Sequence, residues 1–181
     1  MTEALPTFRY HPDPLATGSI VASGAACRVC GRRRGYAYAG PVRADAELDD
    51  AVCPWCIADG SAHARFGAEF TDADAIGGGI WPAAPASAVD AVAHRTPGFS
   101  GWQQERWAVC CGDAAAYLGT AGREALVERY PDALPELRRE AALPDAAWDA
   151  WLAALDATGS PVAYVFRCLH CGRHTGYTDG H

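Results

Sequence analysis

Two C-x-x-C pairs, Cys27 with Cys30 and Cys53 with Cys56, are separated by 22 residues and leave the chain around them little choice of fold. Four thiolates at that spacing match the ligand set of a tetrahedral zinc ion, with Zn–S bonds of about 2.3 Å. Gly31 follows the first pair and lets backbone amides turn toward the sulfurs. Beyond it, the alternation of Tyr36-Ala37-Tyr38-Ala39 has the period of a strand, which Gly40-Pro41 ends or bends. Pro54 suits the first turn of a helix running through Phe66, and a helix N-terminus stabilises thiolates. Knuckle, strand and helix in that order describe a treble-clef or zinc-ribbon-like finger.

The opening motif returns near the C-terminus. CRVCGRRRGY, from Cys27, and CLHCGRHTGY, from Cys168, share six of ten positions in register. A second zinc knuckle at Cys168 and Cys171 needs partners, and Cys110 and Cys111 are the remaining cysteines. They precede an apolar run read as a short helix, as Cys53 and Cys56 do. Consecutive side chains usually diverge, so His170, His174 or Asp113 stand as alternative ligands. A buried Cys110 or a vicinal disulfide is the reading without metal. Two structural zinc ions are therefore expected, the second tying the C-terminus to residues some 57 positions earlier.

The remaining segments point to an α+β fold. Residues 1–70 read as an N-terminal arm and finger, and residues 71–181 as a helical region closed by a C-terminal strand and the second knuckle, all in one compact unit. Residues 71–85 read as a connecting loop. A helix to His94 has Ser87 as its cap, with Asp90 completing a capping-box variant. Further helices are expected over 123–130, over 133–142 with Asp132 as N-cap, and over 144–155. In the last, Trp148, Trp151, Leu152 and Leu155 form one apolar stripe, and Gly159 stops it. The β-branched and aromatic run 161–167 is a strand.

Composition narrows the function. All 15 basic residues are arginine, so a Schiff-base lysine and a phosphate-loop lysine are both excluded. The net charge of -7 disfavours a general attraction to nucleic acid, although Arg32, Arg33, Arg34, Tyr36 and Tyr38 form a local basic and aromatic stretch. No apolar run reaches the roughly 20 residues that cross a bilayer, and the N-terminus lacks signal-peptide features, which places the protein in the cytoplasm without membrane insertion. His11 and Asp13 in the arm, Trp102, Gln103, Gln104 and Glu105 between two tryptophans, and Asp113 are candidate pocket residues. Trp102 and Trp107 read equally as core anchors, and Asp13 as a turn former.

LPTFRYHPDPLATG, CRVCG with GYAYAGPV, CPWCIADGSA, RTPGFSGWQQERW and the terminal C-x-x-C-G together resemble the CbrC family of small bacterial proteins, from Leu5 to about Asp179. The resemblance implies zinc-type cysteine pairs and a link to colicin tolerance. It also implies that Cys110 stands where histidine is frequent, making it a substitute ligand. The leading expectation is a zinc-stabilised binding or regulatory protein with a protein partner, in bacteriocin or stress tolerance. The alternatives are a hydrolase or transferase with a pocket around Gln103, Gln104, His11 and Asp113, and a nucleic-acid-binding module.

Overall fold

The computed structural model describes residues 3–180. Met1, Thr2 and His181, included in the spans read from sequence, lie outside the described residues. Near the N-terminus, β1 (Ile20–Ala22) pairs antiparallel with β2 (Tyr36–Tyr38), and the first knuckle joins them. The expected single helix is two: α1 (Pro54–Ala58) and α2 (Ser61–Phe66). Gly60 separates them at φ 76°, a left-handed conformation that ends the first helix and starts the second. Phe8, Ile20, Val29, Tyr38, Val52 and Ile57 make the core here, together with Cys27, Cys53 and Cys56.

The loop over 71–85 leads to α3 (Ala86–Arg95). Pro85, not Ser87, occupies the cap, and no side chain caps the helix. Asp90 instead accepts a hydrogen bond from the His94 ring at 2.9 Å. The helix expected after Cys110-Cys111 is absent. In its place β3 (Val109–Cys110) turns tightly into β4 (Asp113–Ala114), and β5 (Ala116–Ala121) follows. Cys111 at φ 53° and Gly112 at φ 75° both adopt the left-handed form that a two-residue hairpin turn requires. Pairing of β5 with a later strand overrides the helical preference of the alanines.

Next come α4 (Arg123–Glu128), a 3-10 turn (Pro131–Ala133), α5 (Leu134–Ala141) and α6 (Asp145–Ala154). Asp132 does not cap α5. It accepts hydrogen bonds from the backbone and ring of His174, each at 2.9 Å, and so ties the C-terminal strand to the helices. Within the α6 stripe Trp148 and Leu155 are buried, whereas Trp151 and Leu152 are half-buried. Leu155 ends α6, four residues before Gly159.

Strands β6 (Val162–Arg167) and β7 (His174–Asp179) complete an antiparallel sheet in the order β5-β6-β7. As the central strand, β6 feeds two cores by simple alternation. Val162, Tyr164 and Phe166 join an aromatic core with Phe99, Trp107 and Tyr117. Ala163 and Val165 face a helical core with Leu126, Leu137 and Trp148. The N-terminal arm links these parts: Phe8 packs in the first core and Tyr10 in the aromatic one, where the Tyr10 carbonyl accepts the Tyr117 N–H at 2.8 Å.

His11 is fully buried in that arm. Its Nδ1 lies 2.7 Å from the Pro97 carbonyl, an acceptor only, so Nδ1 carries the proton and Nε2 accepts from the Thr17 hydroxyl at 2.7 Å. Burial lowers its pKa to about 4. The unfolded chain therefore binds this proton first, and the stabilisation is complete above about pH 6.5 and is lost as pH falls toward 4. Denaturant titrations across that window should show a wild-type decline steeper by about one proton, up to about 3 kcal/mol in total, than in His11→Gln. Parallel slopes would refute the assignment.

Candidate metal centres

The two knuckles share one backbone. Cys27 N–H donates to the Arg32 carbonyl at 2.9 Å, and Gly31 N–H to the Cys27 carbonyl at 2.7 Å. The corresponding bonds in the second knuckle run from Cys168 to Arg173 at 2.8 Å and from Gly172 to Cys168 at 3.1 Å. Gly31 at φ 72° and Gly172 at φ 75° take the same left-handed turn, and open space surrounds both, so conformation explains the glycines. Antiparallel strands flank each knuckle.

Each knuckle meets a second pair. In the first cluster Cys53 precedes α1 and Cys56 lies in its first turn. In the second, Cys110 and Cys111 sit at the β3–β4 hairpin, whose left-handed turn allows adjacent side chains to converge. Within each cluster all four sulfurs lie within 4.8 Å of one another. The closest separations are 3.6 Å for Cys53 with Cys56, 3.8 Å for Cys30 with Cys53 and for Cys110 with Cys111, and 3.9 Å for Cys27 with Cys56 and for Cys110 with Cys171. A regular tetrahedron with metal–sulfur bonds of about 2.3 Å has edges of about 3.8 Å. A disulfide needs about 2.05 Å, and all eight cysteines are free, so the vicinal disulfide does not form.

Electrostatics favours a cation in both clusters. The Cys53 thiol donates to Cys27 and draws the latter's pKa down to about 4, while burial pushes Cys56 up to about 12. Burial opposes ionisation of Cys168, but bonds from neighbouring backbone amides outweigh it and bring its pKa to about 6. Burial drives Cys110 upward. Four mutually close thiolates cannot all ionise without a positive charge between them. These donor sets fit a soft or borderline divalent ion.

His170, His174 and Asp113 remain outside the sulfur shell. Asp113 accepts from Tyr10 Oη at 2.8 Å and Arg9 at 2.6 Å and meets His170 Nε2 at 3.1 Å, while His174 is bound to Asp132. Arg9 and Tyr10 thus brace the second cluster from about a hundred residues away. No local spacing signals that contact.

The family model described as "Uncharacterised protein family (UPF0167)" matches residues 5–180. The chain belongs to UPF0167. Among its relatives, the UPF0167 protein Mb2317 of Mycobacterium bovis is 49% identical over 185 residues, covering 98% of this chain and 94% of that protein. The UPF0167 protein PA1536 of Pseudomonas aeruginosa is 46% identical over 174 residues, covering 96% of each chain. No solved structure matches. The resemblance to the CbrC family is corrected by this match, and the colicin-tolerance link it implied falls with it.

The UPF0167 fold disperses the residues expected to share a pocket. Gln103 and Gln104 line a cavity of about 910 Å³ with Arg106, Glu140, Trp151 and Asp179, but His11 and Asp113 do not. Glu105 accepts the Gly101 N–H at 2.8 Å, and Asp13 closes a turn by accepting the Ala16 N–H at 3.1 Å. Trp102 is 49% exposed, with its indole on the Gly159 carbonyl, whereas Trp107 is wholly buried, so the tryptophans divide between surface and core. The expected basic and aromatic patch is also partly interior. Tyr38 is buried with its hydroxyl on the Pro41 carbonyl, and Arg34 lies over the Trp55 ring. Among the described residues no helix is long and apolar enough to cross a membrane.

Proposed function

We propose that this UPF0167 chain is a cytoplasmic protein-binding module built on two structural zinc ions. The single observation that carries the reading is the near-tetrahedral spacing of eight sulfurs in two sets of four. Four cysteines per ion close the coordination shell, which suits a structural role and leaves no position for a metal-bound water. A closed shell of this kind speaks against hydrolysis at the metal itself. Eight free thiols are in keeping with a reducing compartment. The hairpin followed by a helix bearing the second cysteine pair supports a treble-clef-like description of the first unit.

Binding is assigned to the cavity at Gln103 and Gln104. Asp74, Glu140 and Asp179 set three carboxylates against the guanidinium of Arg106, which is itself occupied by Glu140 and stacked on Tyr177. Trp151 and Leu143 supply an apolar wall. This balance favours an arginine- or lysine-bearing segment of a partner protein, with its stem on the wall and its cation toward the carboxylates. X-ray absorption should give an all-sulfur shell for two zinc ions. Calorimetric titration of the full chain should detect an Ala-Arg-Ala-Arg-Ala peptide, weakened about threefold by Asp74→Asn, the scale of one exposed charge pair. Equal binding of an Ala-Glu-Ala-Glu-Ala peptide would overturn the cavity assignment.

A further inference from the structure

The two clusters differ in what surrounds them. Cys27, Cys53 and Cys56 are buried, leaving only Cys30 of the first set exposed. In the second set only Cys168 is buried, Cys111 and Cys171 are exposed, and Cys110 is half-exposed. We propose that the second cluster is an oxidation site at which a peroxide joins Cys110 to Cys171 and releases the metal. This rests on the zinc reading above. Oxidant must reach a thiolate, and a second thiolate must then reach the oxidised sulfur. Only the second cluster offers accessible sulfurs on different segments: Cys171 faces Cys111, within 4.8 Å, and Cys110, with which it is in sulfur–sulfur contact at 3.9 Å. Cys110 and Cys111 are as near, at 3.8 Å, but consecutive Cα atoms stand about 3.8 Å apart, below the usual 4.4–6.8 Å of a disulfide.

The chemistry balances with hydrogen peroxide as the named oxidant. The Cys171 thiolate attacks one peroxide oxygen, an S–O bond forms as the O–O bond breaks, and hydroxide leaves. The Cys110 thiolate then attacks the sulfenic sulfur, the S–S bond forms, the S–O bond breaks, and a second hydroxide leaves. Two thiolates supply the two electrons, and two protons from solvent convert the hydroxides to water. The cluster loses two of its four ligands. The hairpin bearing Cys110 also carries Asp113, which holds Arg9 and Tyr10 of the arm, so the change reaches a segment shared by two cores.

Metal-loaded full-length protein, its two equivalents first counted, should be treated with hydrogen peroxide in the presence of a zinc-binding dye. One equivalent should be released at least tenfold faster than the other. Tryptic peptide 107–123 should become joined to peptide 168–173, with fragmentation placing the bond between Cys110 and Cys171. A thiol reductant with zinc should restore the cluster. Release of both equivalents at one rate, or a first disulfide among Cys27, Cys30, Cys53 and Cys56, would overturn the proposal. A protein with no metal at the outset would sink the zinc reading alone. Timed alkylation would then decide the oxidation site, by whether Cys110 and Cys171 are lost before the first set.

Discussion

On the two-zinc reading proposed above, treatment with a chelator is expected to unfold residues 20–70 and loosen the remainder, with loss of the near-ultraviolet circular dichroism and of a cooperative thermal transition. The elements around the first cluster cannot stand alone. Strands β1 and β2 have three residues each, α1 has five and α2 six, all well short of what isolated hairpins or helices need. Three of the buried side chains in that core are the sulfur ligands themselves. Structural zinc contributes about 10–16 kcal/mol of apparent binding energy in small domains, against about 5–15 kcal/mol for the net stability of a whole domain. Loss of the ion therefore exceeds the available margin. Around the second cluster, β5-β6-β7 keeps cores on both faces, so its far-ultraviolet signal should persist longer. A metal-free protein that keeps its near-ultraviolet spectrum and a sharp melting transition would refute the scaffold role.

Trp107→Ala should cost about 3–5 kcal/mol in urea denaturation, and Trp102→Ala about half as much or less. Trp107 lies among Phe99, Tyr117 and Phe166, with ring centroids 5.7, 6.2 and 5.7 Å away. Its indole N–H donates to the Ala115 carbonyl at 2.9 Å, so truncation leaves both a cavity and an unpaired buried acceptor. Trp102 keeps 49% of its surface in water and bonds the Gly159 carbonyl at the surface, so its truncation removes about half the burial and opens no enclosed cavity. Similar losses for the two variants would show that the aromatic core is organised differently.

The same contrast marks what could be read from the sequence. Cysteine spacing, the glycine after each knuckle and the six shared positions are local signals that located both knuckles, and the β-branched and aromatic run 161–167 located β6. The hairpin at Cys110 was hidden because alanines 114–116 favour a helix in isolation, whereas in the fold Ala114 pairs back with Val109, Ala115 N–H donates to the Ala108 carbonyl, and Ala116 pairs with Arg167 some 50 residues later. Asp132 looked like a cap, but its partner His174 lies 42 residues on. His11 resembled a reactive group and is a satisfied core histidine, because Pro97 and Thr17 fold onto it. The bracing of Asp113 by Arg9 and Tyr10 spans more than a hundred residues and leaves no pattern to find.

A sheet whose central strand serves two cores also sets the order in which the protein can be made. The first cluster has all four of its cysteines once Cys56 has been synthesised, so on the proposed zinc reading an ion can bind while the chain is still growing. The aromatic core, the helical core and the second cluster all wait for residues 162–179. Until then Cys110 and Cys111 lack their partners Cys168 and Cys171. For that interval the nascent chain carries two reactive thiols without a completed site, and its vulnerability to the wrong metal or to oxidants is greatest before folding ends.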